Sequence, residues 1–171
     1  LGTVYAPVIE RALAFIEQRT PCSAERIETE LVEQGFTKVG LEVEGILDSA
    51  NLLERKVGFA LEWVGMARRR RIALVVAAGD VDLVSVAIEV ARREIYYHGI
   101  ATLGRIHRQV AERVSGRVKE QVVRRAVEAL PGFLWLDEKQ GWFRVASISK
   151  HGLPKTVEKV LAVAGEVQVG V

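Results

Sequence analysis

The apolar pattern of this sequence occurs twice, with an offset of about 79 positions. Ser23 corresponds to Thr102, Ile27 to Ile106, Leu31 to Val110, Val43 to Val122 and Leu47 to Ala126. Repetition restricts the fold: both copies must form the same supersecondary unit, so a reading of one has to fit the other. The 171 residues hold two such copies and, from Leu153-Pro154, what reads as the start of a third.

In the first copy, residues 6–19 carry Val8, Ile9, Ala12, Phe15 and Ile16 at helical spacing, and Thr20-Pro21 stops the helix. Ser23 is a good N-cap for a helix with Ile27, Leu31 and Val32, which Gly35 ends. Residues 39–52 read as a third helix with Leu41, Val43, Ile46, Leu47 and Ala50 inward. Residues 57–63 and 71–76 then read as two strands around a turn near Gly65. The second copy follows the same order. A long helix runs from Gly79-Asp80 to about Tyr97, with Asp80 or Asp82 as cap and Gly99 at its end. Thr102 caps a helix with Leu103, Ile106, Val110 and Val114. A further helix spans 117–130, with Val118, Val122, Ala126 and Leu130 inward, and Pro131-Gly132 breaks it. Residues 133–136 and 142–145 alternate across a turn at 137–141. The expected organisation is a first module at 1–78, a second at 79–147 and the start of a third at 148–171, where Val157, Val160 and Leu161 mark a helix. The chain opens on Leu1 and ends at Val171 inside that third copy, which reads as a piece of something longer.

Composition narrows the function classes. Apolar residues make up 49% and charged residues 27%, which argues against disorder. One cysteine, Cys22, allows no internal disulfide. His98, His107 and His151 lack ligand-like spacing, so neither a metal nor another cofactor is expected. The longest apolar run, residues 72–78, is strand-sized and too short to cross a membrane. No glycine-rich phosphate loop, nucleophile elbow or carboxylate pair stands out, so no enzymatic step is expected.

Three helices followed by a two-stranded hairpin is the winged helix-turn-helix plan. The second copy carries it best, in Thr102-Leu-Gly-Arg-Ile-His-Arg-Gln-Val110, the connection Ser115-Gly116, the helix from Val118 to Leu130, and Phe133-Leu-Trp-Leu-Asp-Glu-Lys-Gln-Gly-Trp-Phe-Arg-Val145 as wing. This stretch resembles the tandem winged-helix modules of bacterial transcription-associated proteins, including sigma-factor-like helix-turn-helix proteins and domains related to the RNA polymerase delta subunit. The resemblance covers residues 80–147 and, less specifically, 6–78. It implies a mainly α fold with small β-hairpins, a cytoplasmic setting, and either DNA binding or contact with transcription machinery. Winged helices also dock proteins, so fold alone does not choose.

Charge points to the candidate site. The net charge is only +2. Residues 1–67 hold six Lys/Arg against eleven Asp/Glu, a balance of −5, whereas residues 101–151 hold ten against five, a balance of +5. In a helix-turn-helix the helix at 117–130 would enter the major groove. Its outward residues would be Arg117, Glu120, Gln121, Arg124 and Glu128. Arginine forks match guanine and phosphate, and glutamine can pair with adenine. Glu120 and Glu128 stand four residues either side of Arg124, so ordinary surface ion pairs are the competing reading. Arg105 and Arg108 on the preceding helix suit phosphates, with Lys119, Arg125 and Arg144 enlarging the basic surface and Lys139 and Gln140 at the wing tip. Arg68, Arg69, Arg70 and Arg71 form the densest run of charge; they suit phosphate binding, form a solvated loop, or pair with the acidic first module.

The first copy's third helix carries Glu42, Glu44 and Asp48 with Lys38, a face that phosphates would repel. It is expected to dock a protein, another copy of this chain or the second module. His107 reads as a partly buried helix residue and Cys22, beside a helix start but without a base, as structural. Trp63, Trp135 and Trp142 read as core or hairpin packing. The leading expectation is double-stranded DNA as partner; the alternative is an interaction scaffold.

Overall fold

The computed structural model describes residues 2–33, 35, 59–65 and 71–148. The expected helix at 39–52, Arg68, Arg69 and Arg70, and the third-copy segment beyond Ile148 lie outside the described residues.

The described chain is helical with small antiparallel sheets, and its elements come in two matching series. The first is α1 (Gly2–Arg19), β1 (Cys22–Ser23), α2 (Ala24–Glu33), β2 (Phe59–Gly65) and β3 (Arg71–Ala77). A 3₁₀ turn, Ala78–Asp80, leads into the second: α3 (Val81–His98), β4 (Ala101–Thr102), α4 (Leu103–Ala111), α5 (Glu120–Glu128), β5 (Phe133–Asp137) and β6 (Trp142–Val145). Helices α1 and α3 are both 18 residues long, and both of their ends stand 79 positions apart, Gly2 against Val81 and Arg19 against His98.

The two-residue strands are the N-terminal caps of the helices that follow. Ser23 Oγ accepts the Arg26 backbone N–H at 3.3 Å, and Thr102 Oγ1 accepts that of Arg105 at 3.3 Å. A cap residue needs an extended backbone, and Thr102 has φ −116° and ψ 140°. That geometry is also a strand's, so each cap pairs with a hairpin. Cys22 and Ser23 lie opposite Val75 and Leu74, and Ala101 and Thr102 lie opposite Phe143 and Trp142. Both sheets therefore have three strands in equivalent order, β1-β3-β2 and β4-β6-β5. Gly99 ends α3 in the left-handed region at φ 77°, its N–H donating to the Ile95 carbonyl at 2.8 Å.

α5 is shorter than the expected helix at 117–130: Arg117 and Val118 precede it, and Lys119 caps it without a side-chain bond. Glutamine and arginine that the longer helix would have carried near its start therefore split, with only Gln121 on the helix proper.

Strand β3 serves two cores. Side chains alternate across a strand. Val75 joins Ala12, Ile16, Cys22, Ile27 and Leu31, whereas Leu74 and Val76 join the larger cluster of α3, α4, α5 and the second hairpin. All three are fully buried. This accounts for the middle of the apolar run at 72–78: at Leu74, Val75 and Val76 both faces of β3 are covered, one by the first series of helices and one by α3, whereas Ala78 beyond the strand is exposed. Phe133, Trp135 and Phe143 close the second core with ring centroids 5.0 to 5.9 Å apart. Trp63 and Trp142, expected in packing, are instead 59% and 39% exposed.

Candidate nucleic-acid interface

The amphipathic pattern of α5 sets which residues face out. Val122, Val123, Ala126 and Val127 are buried. The buried stripe is therefore centred further round than Val122 and Ala126 alone suggest, and the opposite side carries Gln121, Arg124, Arg125 and Glu128. Gln121 is exposed.

Arg124 is held by three groups. Its Nε donates to Glu128 Oε1 at 2.9 Å, and its Nη2 donates to Glu138 in the hairpin turn. Its guanidinium also lies over the Trp135 ring, 5.1 Å from the centroid. Trp135 Nε1 donates to the same Glu128 oxygen at 3.2 Å. The hydrogen bond that Arg124 donates to Glu128, followed by the one it donates to Glu138, holds its pKa above the ordinary value. The competing reading of Arg124 as an ion-pair partner thus describes its geometry for Glu128; Glu138 and Trp135 come from the hairpin.

The neighbouring cations divide into paired and unpaired. Arg125 Nη1 donates to the Thr20 carbonyl at 3.1 Å, so it ties α5 to the α1–β1 connection. Arg19, Arg26, Arg125 and Glu128 line the open cleft of about 200 Å³ between them. Arg105 Nε meets Glu94 Oε2 at 3.0 Å, and Lys119 Nζ meets Asp80 Oδ1 at 3.0 Å. Arg113 pairs with Glu89 at 3.3 Å. Arg108, Arg117 and Lys139 are exposed and have no ion-pair partner among the described residues. Arg108 is on α4, Arg117 in the connection to α5, and Lys139 in the hairpin turn beside exposed Gln140, whose backbone N–H donates to Asp137 Oδ1 at 3.1 Å. Arg71 is exposed at the start of β3, and Arg144 is exposed on β6.

The residues that the sequence reading missed are the acids that hold these cations. Glu94 is 7% exposed on α3 and takes two donors, Arg105 Nε at 3.0 Å and Gln109 Nε2 at 2.7 Å, with His98 Nε2 3.9 Å away. Its signal was available, since a carboxylate beside Val90, Ala91 and Ile95 interrupts an apolar stripe. Asp80 gave no such signal, being 39 positions from Lys119. Much of the positive balance of residues 101–151 is thus met by acids at 80–94, just outside that window.

Elsewhere, His107 is half-buried. Cys22 is buried, and burial pushes its thiol pKa up, outweighing the lowering by Arg26 and Arg19. The helix start beside it therefore does not make a reactive thiolate. Among the described residues, no group of His, Cys, Asp and Glu suits a metal ion, and no helix is long and apolar enough to cross a membrane.

A scan against protein-family models finds no family that matches the chain, and searches of curated proteins and of solved structures find no match either. The meaning of the site rests on its own chemistry.

Proposed function

We propose that the second half is a winged helix-turn-helix that holds double-stranded DNA mainly through phosphates, with little base reading and no chemical step, in a transcription-associated role. One observation carries this reading: Arg108, Arg117 and Lys139 are exposed and, among the described residues, without ion-pair partners on α4, the connection and the hairpin turn, while Arg124 on α5 is bound by its own fold. Unpaired cations release condensed counterions when they meet phosphates, and that release is independent of sequence. An arginine that must first leave two carboxylates and an indole gains little from a guanine edge. Gln121 is the remaining polar group on the outward side of α5 suited to a base.

Titration of the full chain against random duplex at several salt concentrations tests this. Each phosphate contact contributes roughly −0.9 to the slope of log affinity against log salt. Arg108→Ala, Arg117→Ala and Lys139→Ala should each flatten the slope by about one unit. Arg124→Ala should leave it unchanged. Binding that ignores salt, or does not occur, refutes the proposal. The neutralised α5 face favours a second reading, an interaction scaffold. A stable self-complex by light scattering, together with no DNA binding, would select it.

A further inference from the structure

The repeat puts a pair of basic side chains at the same place in both series. Arg19 and Arg26 stand 79 positions before His98 and Arg105. In the second series a buried acid serves the pair: Glu94 Oε2 lies 3.0 Å from Arg105 Nε and 3.9 Å from His98 Nε2. In the first series Phe15 stands at that acid's place, with the Arg19 guanidinium over its ring, 5.3 Å from the centroid. The acid is Glu30 instead, which accepts from Arg26 Nε at 3.1 Å and lies 3.7 Å from Arg19 Nη2. Glu30 stands outside the cleft that Arg19 and Arg26 line.

The first series also receives a third arginine. Arg125 reaches from α5 to the Thr20 carbonyl and lines the same open cleft of about 200 Å³. That is smaller than the roughly 300–1,000 Å³ of a site for a drug-sized molecule, and it suits a head group. Each guanidinium has five N–H donors. Arg26 spends Nε on Glu30 and Arg125 spends Nη1 on Thr20, so both keep donors without a partner among the described residues. The carboxylate among the lining residues is that of Glu128, whose Oε1 already accepts from Arg124 and Trp135. Ser23, the N-cap of α2, lines the cleft too, so the positive end of that helix borders it. Guanidinium forks match phosphate oxygens, and a dianion with three terminal oxygens answers three arginines better than a carboxylate with two. We infer that this cleft binds the phosphomonoester end of a small molecule, held by Arg19, Arg26 and Arg125. The site stands whether or not the second half binds DNA.

Nuclear magnetic resonance of the full chain, titrated with methyl phosphate at about pH 7.5, tests this; a phosphomonoester is mostly dianionic there. The amides of Cys22, Ser23, Arg26 and Ala129 should shift saturably. Arg26→Gln and Arg125→Gln should each weaken binding at least about fivefold. Glu128→Gln removes a negative charge from the cleft and should tighten binding about threefold. If Arg125→Gln unseats α5, Arg26→Gln decides, because that side chain is 65% exposed and bonds to Glu30 alone. Dimethyl phosphate, a monoanion like the DNA backbone, should bind more weakly at matched ionic strength. No saturation by about 10 mM methyl phosphate, affinity that Arg26→Gln leaves unmoved, or weaker binding by Glu128→Gln would overturn the inference. Equal affinity for dimethyl phosphate would also overturn it, and would mark a seat for the backbone of a duplex.

Discussion

Glu94 shows how one buried acid governs a candidate site. Its carboxylate takes Arg105 and Gln109 at the junction of α3 and α4, and so removes a cation from the surface where α4 would meet phosphate. Glu94→Gln keeps an acceptor for Gln109 and removes the charge that holds Arg105. Arg105 is 57% exposed, so most of the pair's Coulombic gain is screened. The expected loss is about 1 kcal/mol, read as a lower urea midpoint. The freed guanidinium should steepen the salt dependence of DNA binding by about one unit. A variant that loses stability with no change in that slope would show that Arg105 never reaches DNA. At this scale the sequence was readable for side-chain direction and poor for side-chain partners. Arg124 was correctly placed outward by periodicity, but its second carboxylate lies 14 residues away, in a hairpin whose distance from α5 no local pattern encodes.

At the scale of elements, capping and strand pairing act through the same residue. Thr102 satisfies the Arg105 N–H through its hydroxyl and pairs with Trp142 through its backbone. Thr102→Ala removes the first and leaves the second, so it should cost about 1 kcal/mol. Thr102→Ser should restore most of that. Equilibrium urea unfolding of the two variants separates the contributions; an alanine variant as stable as wild type would mean that the sheet alone fixes the start of α4. Nearby, Gly141 sits at φ 74° and its carbonyl accepts the Leu103 N–H at 2.9 Å. A Cβ there would stand 3.3 Å from Leu103 Cβ, so both backbone angle and space select glycine. The caps at Ser23 and Thr102, the helix stop at Gly99 and the second hairpin were readable because each depends on a local chemical signal, whereas Asp80 stands at the start of α3 without a capping side-chain bond and pairs with Lys119 instead. The two-residue strands were not readable, because two residues show no alternation. The start of α5 was misplaced for a related reason: Val118 continues the apolar spacing although the helix begins after it.

At the scale of the molecule, the repeat makes two units and β3 makes them interdependent. Leu74 belongs to the first series in sequence and to the core of α3, α4 and α5 in space, while Val75 beside it faces Ile16 and Ile27. A duplicated pattern announces two copies but not the shared sheet face; the sign of it was the run at 72–78, apolar at every position where a half-exposed strand would alternate. Leu74→Ala should therefore damage the second series although it lies in the first. Truncating a fully buried leucine costs about 2–5 kcal/mol, depending on how far the site collapses. If the halves fold as one cooperative unit, amide exchange in α4 and α5 should accelerate together with that of α1, by a common factor set by this loss. Ile16→Ala, on the far side of the same sheet, should then accelerate α5 by a similar factor. Acceleration confined to the mutated side in both variants would mean two cores that merely touch across β3. In that case the tie between Arg125 and the Thr20 carbonyl would be a contact between separately stable units, and the cleft beside it could open without unfolding either.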